Sequence, residues 1–432
     1  MSTSSQPAEP VARVQPRFAA DTAERGAPPT PGPSAGEGIG LDGAEPPRRR
    51  RGQEHGDGRR GAGEQRTTGI HATAIAEPAS TPTFAVISGA QVQRVLAGRE
   101  DQVVEVIDDA YRLHCFGSGT ENPRSCFLRL PDRPSCRITA LPASIGGQVG
   151  VDGVKWISSF PGNVAAGLPR ASGVLILNDH DTGYPFACME GSIISATRTA
   201  ALAALAADWL GCARPRPTRV GFFGAGLIAR YIHTYLVGTG WSFDETGVYD
   251  LAPDSVAGFR GYLERSGAAG RITAYPDAET VIRASDLVVF ATNAGRPHVR
   301  DLSWFEHNPL VLHMSLRDLA PEIVLASVNI VDDVEHCLTA DTSMSLAERL
   351  AGNRDFLHGT LDDVMDGRVS LPVDRPLVFS PFGLGVLDVV LGKHVYDEVV
   401  RSGELHVVDD FFHEVQRYAS GDRVLHPGCP TS

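Results

Sequence analysis

Only two lysines, Lys155 and Lys393, occur in a chain whose 39 cationic residues are otherwise arginine. Lys155 sits in "GVKWISSF", a short apolar run just ahead of a Pro-Gly-Asn turn. An ammonium is a compact donor whose pKa falls on burial, whereas a guanidinium stays charged. A lysine kept here therefore points to a place where size or proton exchange matters. Arg124 in "NPRS" and Arg198 in "ATRTAA" fall in or beside the same region. Three fixed cations suit a substrate with several carboxylates, because charge-assisted pairs are the strong hydrogen bonds. Arg198 is expected at the start of a helix over 195–211, where a cation opposes the macrodipole at a cost of roughly a few tenths of a kcal/mol. Such a violation makes sense if an anion binds there. Arg170 in "LPRAS" is either a fourth contact or a structural turn residue.

A second constellation, "VGFFGAGLIAR", supplies Gly224, Ala225, Gly226, Leu227 and Ile228, with the small Ala229 closing the pattern. The first glycine makes a tight turn, the second lets backbone approach a pyrophosphate, and the third small residue lets helix and strand pack closely. Phosphate would rest on the helix N-terminus. Asp250 ends the next expected strand, "GVYD". An acid there accepts from ribose hydroxyls and repels a ribose phosphate, so NAD is preferred over NADP. Thr292 and Asn293 of "ATN" should line the cofactor cleft, and Thr199 and Ser315 are expected on the cofactor too. Asp318, in "VLHMSLRDLAPEIV", follows a strand at the same edge. Its carboxylate can take a proton or orient water while hydride leaves carbon; an N-cap would equally use an aspartate.

The elements that must position these residues fall into two rhythms. From 124 to 190 short β-runs follow one another, with "NDHDTGYP" as a hairpin turn, which predicts an antiparallel sheet. From about 218 strands alternate with helices, and unbroken apolar strands such as "LVVF" predict a doubly wound parallel sheet. The fold class is α/β: a Rossmann-type parallel sheet plus an antiparallel-sheet domain. Boundaries are expected at 81–199 for the substrate domain, completed by 351–420, and at 200–350 for the NAD-binding domain. Residues 421–432 read as a flexible tail. Residues 1–80 hold 10 of the 30 prolines and one aromatic, Phe18. Such a segment cannot bury enough apolar area to offset its ordering entropy, and is expected to be disordered.

Those first 80 residues balance 10 arginines against 10 acids, so the net charge of −13 belongs to residues 81–432. An acidic body excludes nucleic acid as the main partner, and "RRRRGQEHGDGRR" at 48–60 reads as a solvated charge run. No run of apolar residues reaches the length of a membrane span, and the start lacks a secretory pattern. Seven cysteines without a C-x-x-C pair suggest reduced thiols, a cytoplasmic setting and no metal site.

Beyond these readings, "GVKWISSFPGN", "GLPRASGVLILND", "GYPFACMEGSIISATRTAA", "GFFGAGLIAR", "SLRDLAPEIV", "DDVEHC" and "GLGVLDVV" resemble the ornithine cyclodeaminase/mu-crystallin family, over residues of about 84 to 420. Within it, the strings look most like the branch that makes 2,3-diaminopropionate. The resemblance implies a homodimer built through the antiparallel domain and NAD on the Rossmann domain. It implies substrate-carboxylate contacts from Arg124, Lys155 and Arg198, and a catalytic acid at Asp318. It further implies oxidative cleavage of N-(2-amino-2-carboxyethyl)-L-glutamate to 2-oxoglutarate and L-2,3-diaminopropionate. An upstream pyridoxal-phosphate synthase would supply that substrate, and a siderophore or nonribosomal peptide would consume the product. Where cyclodeaminases carry an acid before Met-Pro, this chain reads Thr139-Ala140-Leu141-Pro142, and "SLRDLAPE" replaces their G-D-x-P-G-K. Both departures argue against cyclodeamination. The alternatives are a cyclodeaminase or another amino-acid or imine dehydrogenase of the same fold, and a non-catalytic dinucleotide binder like mu-crystallin.

Overall fold

The computed structural model describes residues 82–116, 119–267 and 270–412. The expectations for residues 1–80 and 421–432 lie outside this range. The first lobe is a sheet built from β1 (Ala85–Ile87), β2 (Thr120–Glu121), β3 (Cys126–Arg129), β4 (Arg137–Ile145), β5 (Val151–Ser159), β6 (Ala171–Asp179) and β7 (Pro185–Glu190), with β16 (His406–Val407) returning from the far end of the chain. Helices α1 (Gly89–Leu96), α2 (Glu100–Phe116) and α3 (Gly191–Gly211) pack with it. Its strand order is β16-β1-β7-β6-β5-β4-β2, with β3 also on β4. β2 to β7 pair antiparallel, as the alternation predicts, but β1 runs parallel to β7, so the sheet is mixed.

The second lobe runs β8 (Arg219–Phe223), α4 (Leu227–Gly238), β9 (Glu245–Tyr249), α5 (Pro253–Arg265), β10 (Arg271–Ala274), α6 (Ala278–Arg283), β11 (Leu287–Phe290), β12 (Leu310–His313), α7 (Pro321–Leu325), β13 (Val328–Val331), α8 (Val334–Cys337), α9 (Ser343–Ala351), β14 (Leu357–Thr360), α10 (Leu361–Met365) and β15 (Leu377–Phe379). All eight strands are parallel, in the order β10-β9-β8-β11-β12-β15-β13-β14. Here the structure corrects the expected boundary. β14 and β15 belong to this sheet, so the return to the first lobe begins not at 351 but at α11 (Gly385–Arg401).

α3 is apolar on every side and buried almost throughout, the pattern of a helix enclosed by its own protein. Among the described residues it alone is long and apolar enough to cross a membrane, yet 83% of its apolar window is buried inside the fold. It starts at Gly191, capped by Glu190, whose carboxylate accepts from the Ser192 and Ile193 N–H groups. Arg198 therefore stands two turns inside the helix rather than at its start, and the macrodipole does not oppose it. α11 lies against β4, β5 and β6. A Cβ on Gly392 would meet Leu175 Cδ2 at 2.2 Å, and one on Gly153 would meet Val389 at 3.1 Å, so small residues bring helix and sheet together.

Candidate active site

That close approach creates the centre of the site. Along β5, Val151, Lys155 and Ser159 face inward, and Lys155 is only 1% exposed. Its Nζ donates to Asp388 Oδ2 at 2.6 Å and to Ser195 Oγ at 3.0 Å. Arg198 reaches the other oxygen of the same carboxylate, Nε to Oδ1 at 3.3 Å. Asp388 is fully buried in the first turn of α11, where the helix N-terminus also favours a negative charge. Burial, followed by the neighbouring Arg198 charge, pulls the Lys155 ammonium down to about 8 against the opposing pull of Asp388. Near neutral pH it can thus carry or release a proton. Two cations share one anion, leaving a net positive charge to meet a carboxylate.

The Arg198 guanidinium lies against Gly383, where a Cβ would sit 2.6 Å from Nη1. This turn is fixed by buried Asp332, whose carboxylate accepts from the Phe382 and Gly383 N–H groups at 2.9 and 2.7 Å. It also links the two lobes. Ser380, at its start, hydrogen-bonds His313 Nδ1 at 2.9 Å, and His313 touches Asp318.

Asp318 follows β12 and is wholly buried. Its Oδ1 accepts from Thr292 Oγ1 and lies 2.9 Å from His298 Nε2; its Oδ2 accepts from Ser315 Oγ and lies 3.3 Å from His313 Nε2. Burial alone would push the carboxyl up, but the bonds from His298, His313 and Ser315 outweigh it and hold the acid well below the usual range. Asp318 is therefore a permanent anion whose lone pairs are engaged. The most exposed member of this cluster is His298, with 37% of its side chain exposed. An Asp-oriented imidazole at the mouth is suited to exchanging a proton, with the aspartate fixing the ring.

The glycine turn has the form read from the sequence. Gly224 has φ of +84°, and a Cβ there would meet the Ala291 carbonyl at 2.6 Å, so only glycine fits. Around Gly226 nothing lies within 4 Å of a Cβ position, and α4 has no side-chain cap, so its first N–H groups are open to an anion. Ala225 is buried, Ile228 packs on the core and Leu227 is 56% exposed beside the turn. Asp250 accepts from the Ala225 and Ala252 N–H groups, each at 2.8 Å, which holds its carboxylate at the end of β9. These residues fit a dinucleotide.

Other expected contacts are distributed differently. Thr292 and Ser315 spend their hydroxyls on Asp318, and Thr199 donates to the Ser195 carbonyl at 2.7 Å. Asn293 is exposed just past β11. Arg124 does not join the Asp388 carboxylate; it is exposed and pairs with Glu335 at 3.2 Å. Its neighbour Asn122 accepts from the Val386 N–H, so Arg124 stands at the rim near the start of α11. An exposed pair is worth about 0–1 kcal/mol, so a bound carboxylate could replace Glu335. Arg170 donates to Ser159 Oγ at 2.6 Å, away from Asp388. The sequence reading missed Asp388, His298 and His313. A single acid in the apolar opening of "GLGVLDVV" and a histidine inside "LVLHMSL" were the available signals.

The model of the ornithine cyclodeaminase/mu-crystallin family matches residues 90–403. The chain belongs to this family. Its relatives include the N-((2S)-2-amino-2-carboxyethyl)-L-glutamate dehydrogenase of Staphylococcus aureus, 27% identical over 309 residues, covering 70% of this chain and 91% of the relative. The alanine dehydrogenase of Archaeoglobus fulgidus is also 27% identical, over 310 residues, covering 69% and 91%. The crystal structure of CmnK superposes with a TM-score of 0.68 at 28% identity, covering 77% of this chain and all of that one.

Proposed function

We propose that this member of the family oxidatively cleaves N-(2-amino-2-carboxyethyl)-L-glutamate with NAD and water, giving 2-oxoglutarate, L-2,3-diaminopropionate, NADH and a proton. The chain is an NAD-dependent oxidoreductase acting on the CH–NH group of an amino acid or imine. The observation that supports this reading is the buried Lys155–Asp388–Arg198 group, whose surplus positive charge suits the α-carboxylate of an amino-acid substrate. NAD on the glycine turn supplies the hydride acceptor. Lys155 and Arg198 hold the α-carboxylate of the glutamate moiety, and Arg124 at the rim takes another. Asp318 orients His298, which moves the proton of the water that adds to the imine carbon before the carbon–nitrogen bond breaks. A pyridoxal-phosphate enzyme joining activated serine to glutamate would supply the substrate, and siderophore or nonribosomal-peptide assembly would use the product.

The outer face of the mixed sheet supports a homodimer. Leu128, Trp156 and Val174 are 49, 43 and 38% exposed there, and Trp156 and Val174 are direct cross-strand partners. A second copy is the occupant that fits a two-fold, self-complementary apolar face; light scattering tests it.

The function is tested by incubating the protein with NAD and the glutamate conjugate while following NADH absorbance and 2-oxoglutarate. Equimolar appearance of both is expected. The similarity to an alanine dehydrogenase favours one rival, an amino-acid dehydrogenase, which would instead yield NADH from L-alanine. A cyclodeaminase would give no net NADH.

A further inference from the structure

A second group of cations lies farther along the inner face of the mixed sheet. Arg129 on β3 and Arg137 on β4 are direct cross-strand partners, and Arg137 is directly opposite Ser159 on β5. Arg170 donates to that Ser159 hydroxyl. The face is settled by the pleat: Thr139, Leu141 and Lys155, in step with these positions, are all buried inward. From the other lobe comes Arg317, the residue beside Asp318. It is held by two backbone carbonyls, Nε on Asp341 O at 3.0 Å and Nη2 on Ala340 O. Ala340 and Asp341 have φ of +57° and +53°, a conformation that costs non-glycine residues energy, so Arg317 is anchored at the expense of strain.

Among the described residues none of the four guanidiniums forms an ion pair. The carboxylate of Asp341, whose charge acts on Arg317, is itself bound to Arg349 at 2.8 Å. Arg137 is exposed, yet desolvation of its guanidinium, followed by the charges of Arg170, Arg317 and Arg129, pushes it down. Like charges gathered without a counter-ion violate a local rule, and such violations mark functional places.

Resting on the function proposed above, we propose that Arg129, Arg137, Arg170 and Arg317 form a distal anion subsite that takes the side-chain carboxylate of the glutamate moiety. Lys155 and Ser159 are four residues apart on one face of β5, about 13 Å at ~3.3 Å per residue. With long arginine side chains reaching inward from one end and Lys155 and Arg198 at the other, the face selects an extended anion charged at both ends. A short amino acid such as alanine would leave the distal arginines unanswered. That makes the cluster the specificity determinant against the alanine-type substrate.

The test measures binding of 2-oxoglutarate and of 2-oxovalerate, which lacks the distal carboxylate, to the full-length protein with NADH, by quenching of nicotinamide fluorescence. Wild type is expected to bind 2-oxoglutarate at least tenfold more tightly. Arg137→Gln and Arg170→Gln, alone and together, should erase that preference without changing NADH affinity, while Arg137→Lys keeps part of it. Equal binding of the two acids by wild type, or a preference unchanged in the double variant, overturns the subsite. If the preference behaves as expected but the glutamate conjugate is not oxidised, the subsite stands and the substrate assignment falls.

Discussion

Asp388 in the mixed-sheet lobe and Asp318 in the parallel-sheet lobe are both withdrawn from water, but Asp388 is answered by two cations and Asp318 by hydroxyls and imidazoles. The difference polarises the cleft. Around Asp388 the sum is positive, so that side attracts carboxylates. Around Asp318 the donors satisfy the anion without cancelling its charge, so that side favours an amine or a proton in transit. One kind of residue, buried equally, serves as counter-ion in one lobe and as fixed negative pole in the other.

Removing Asp388 should break this contrast most severely. Asp388→Asn leaves Lys155 and Arg198 buried without a counter-ion, and a loss of about 3–5 kcal/mol in urea unfolding is expected. A loss under 1 kcal/mol would mean that the cations find water or another partner.

Lys155→Arg keeps the charge but not the size or the proton exchange. Turnover should fall more than ~10-fold with NAD binding unchanged. In the wild type, kcat/KM should fall as pH rises through about 8, where Lys155 loses its proton. The arginine variant should lack that alkaline limb. The linkage sign follows from the same group: its folded pKa lies below the unfolded value of 10.5, so the unfolded chain holds more protons between about 8 and 10.5. Its contribution to stability is therefore present above 10.5 and lost as pH falls through 8. Urea titrations of wild type against the arginine variant would show it.

On the Asp318 side, His298→Asn should slow turnover by about 100-fold or more, with little change in melting temperature, because the ring is exposed and Asp318 retains three other donors. Unchanged turnover would remove His298 from the path of the proton. The smallest structural effect belongs to Gly226→Ala, where nothing crowds the new Cβ. Stability should stay within ~0.5 kcal/mol of wild type, the usual range for substitutions that break no special contact, while NAD affinity falls. Gly224→Ala, by contrast, should destabilise the fold.

Much of this architecture was legible because periodicity is local. The strand–helix alternation after 218, the hairpin series before 190 and the glycine turn were all visible in short windows. What escaped depended on distance or on short elements. Lys155 and Asp388 are 233 residues apart, and no pattern near either names the other. β1 has three residues, too few to show that it would slot parallel beside β7. The start of α3 was placed late because its cap is Glu190, a residue type outside the usual N-cap set. Lys155 and Arg198 were found by residue type, while the arginines of the distal cluster are joined through cross-strand register, which a linear reading does not supply.

The return of α11 to the first lobe has a consequence for biosynthesis. The strand bearing Lys155 leaves the ribosome more than two hundred residues ahead of the carboxylate that neutralises it. Until residue 388 emerges, the nascent sheet has a lysine to bury and no anion to bury it with, an arrangement that resists closure. A polypeptide released before that point would carry every strand of the dinucleotide lobe and still fail to shut its substrate lobe. Completion of that lobe waits until α11 has emerged.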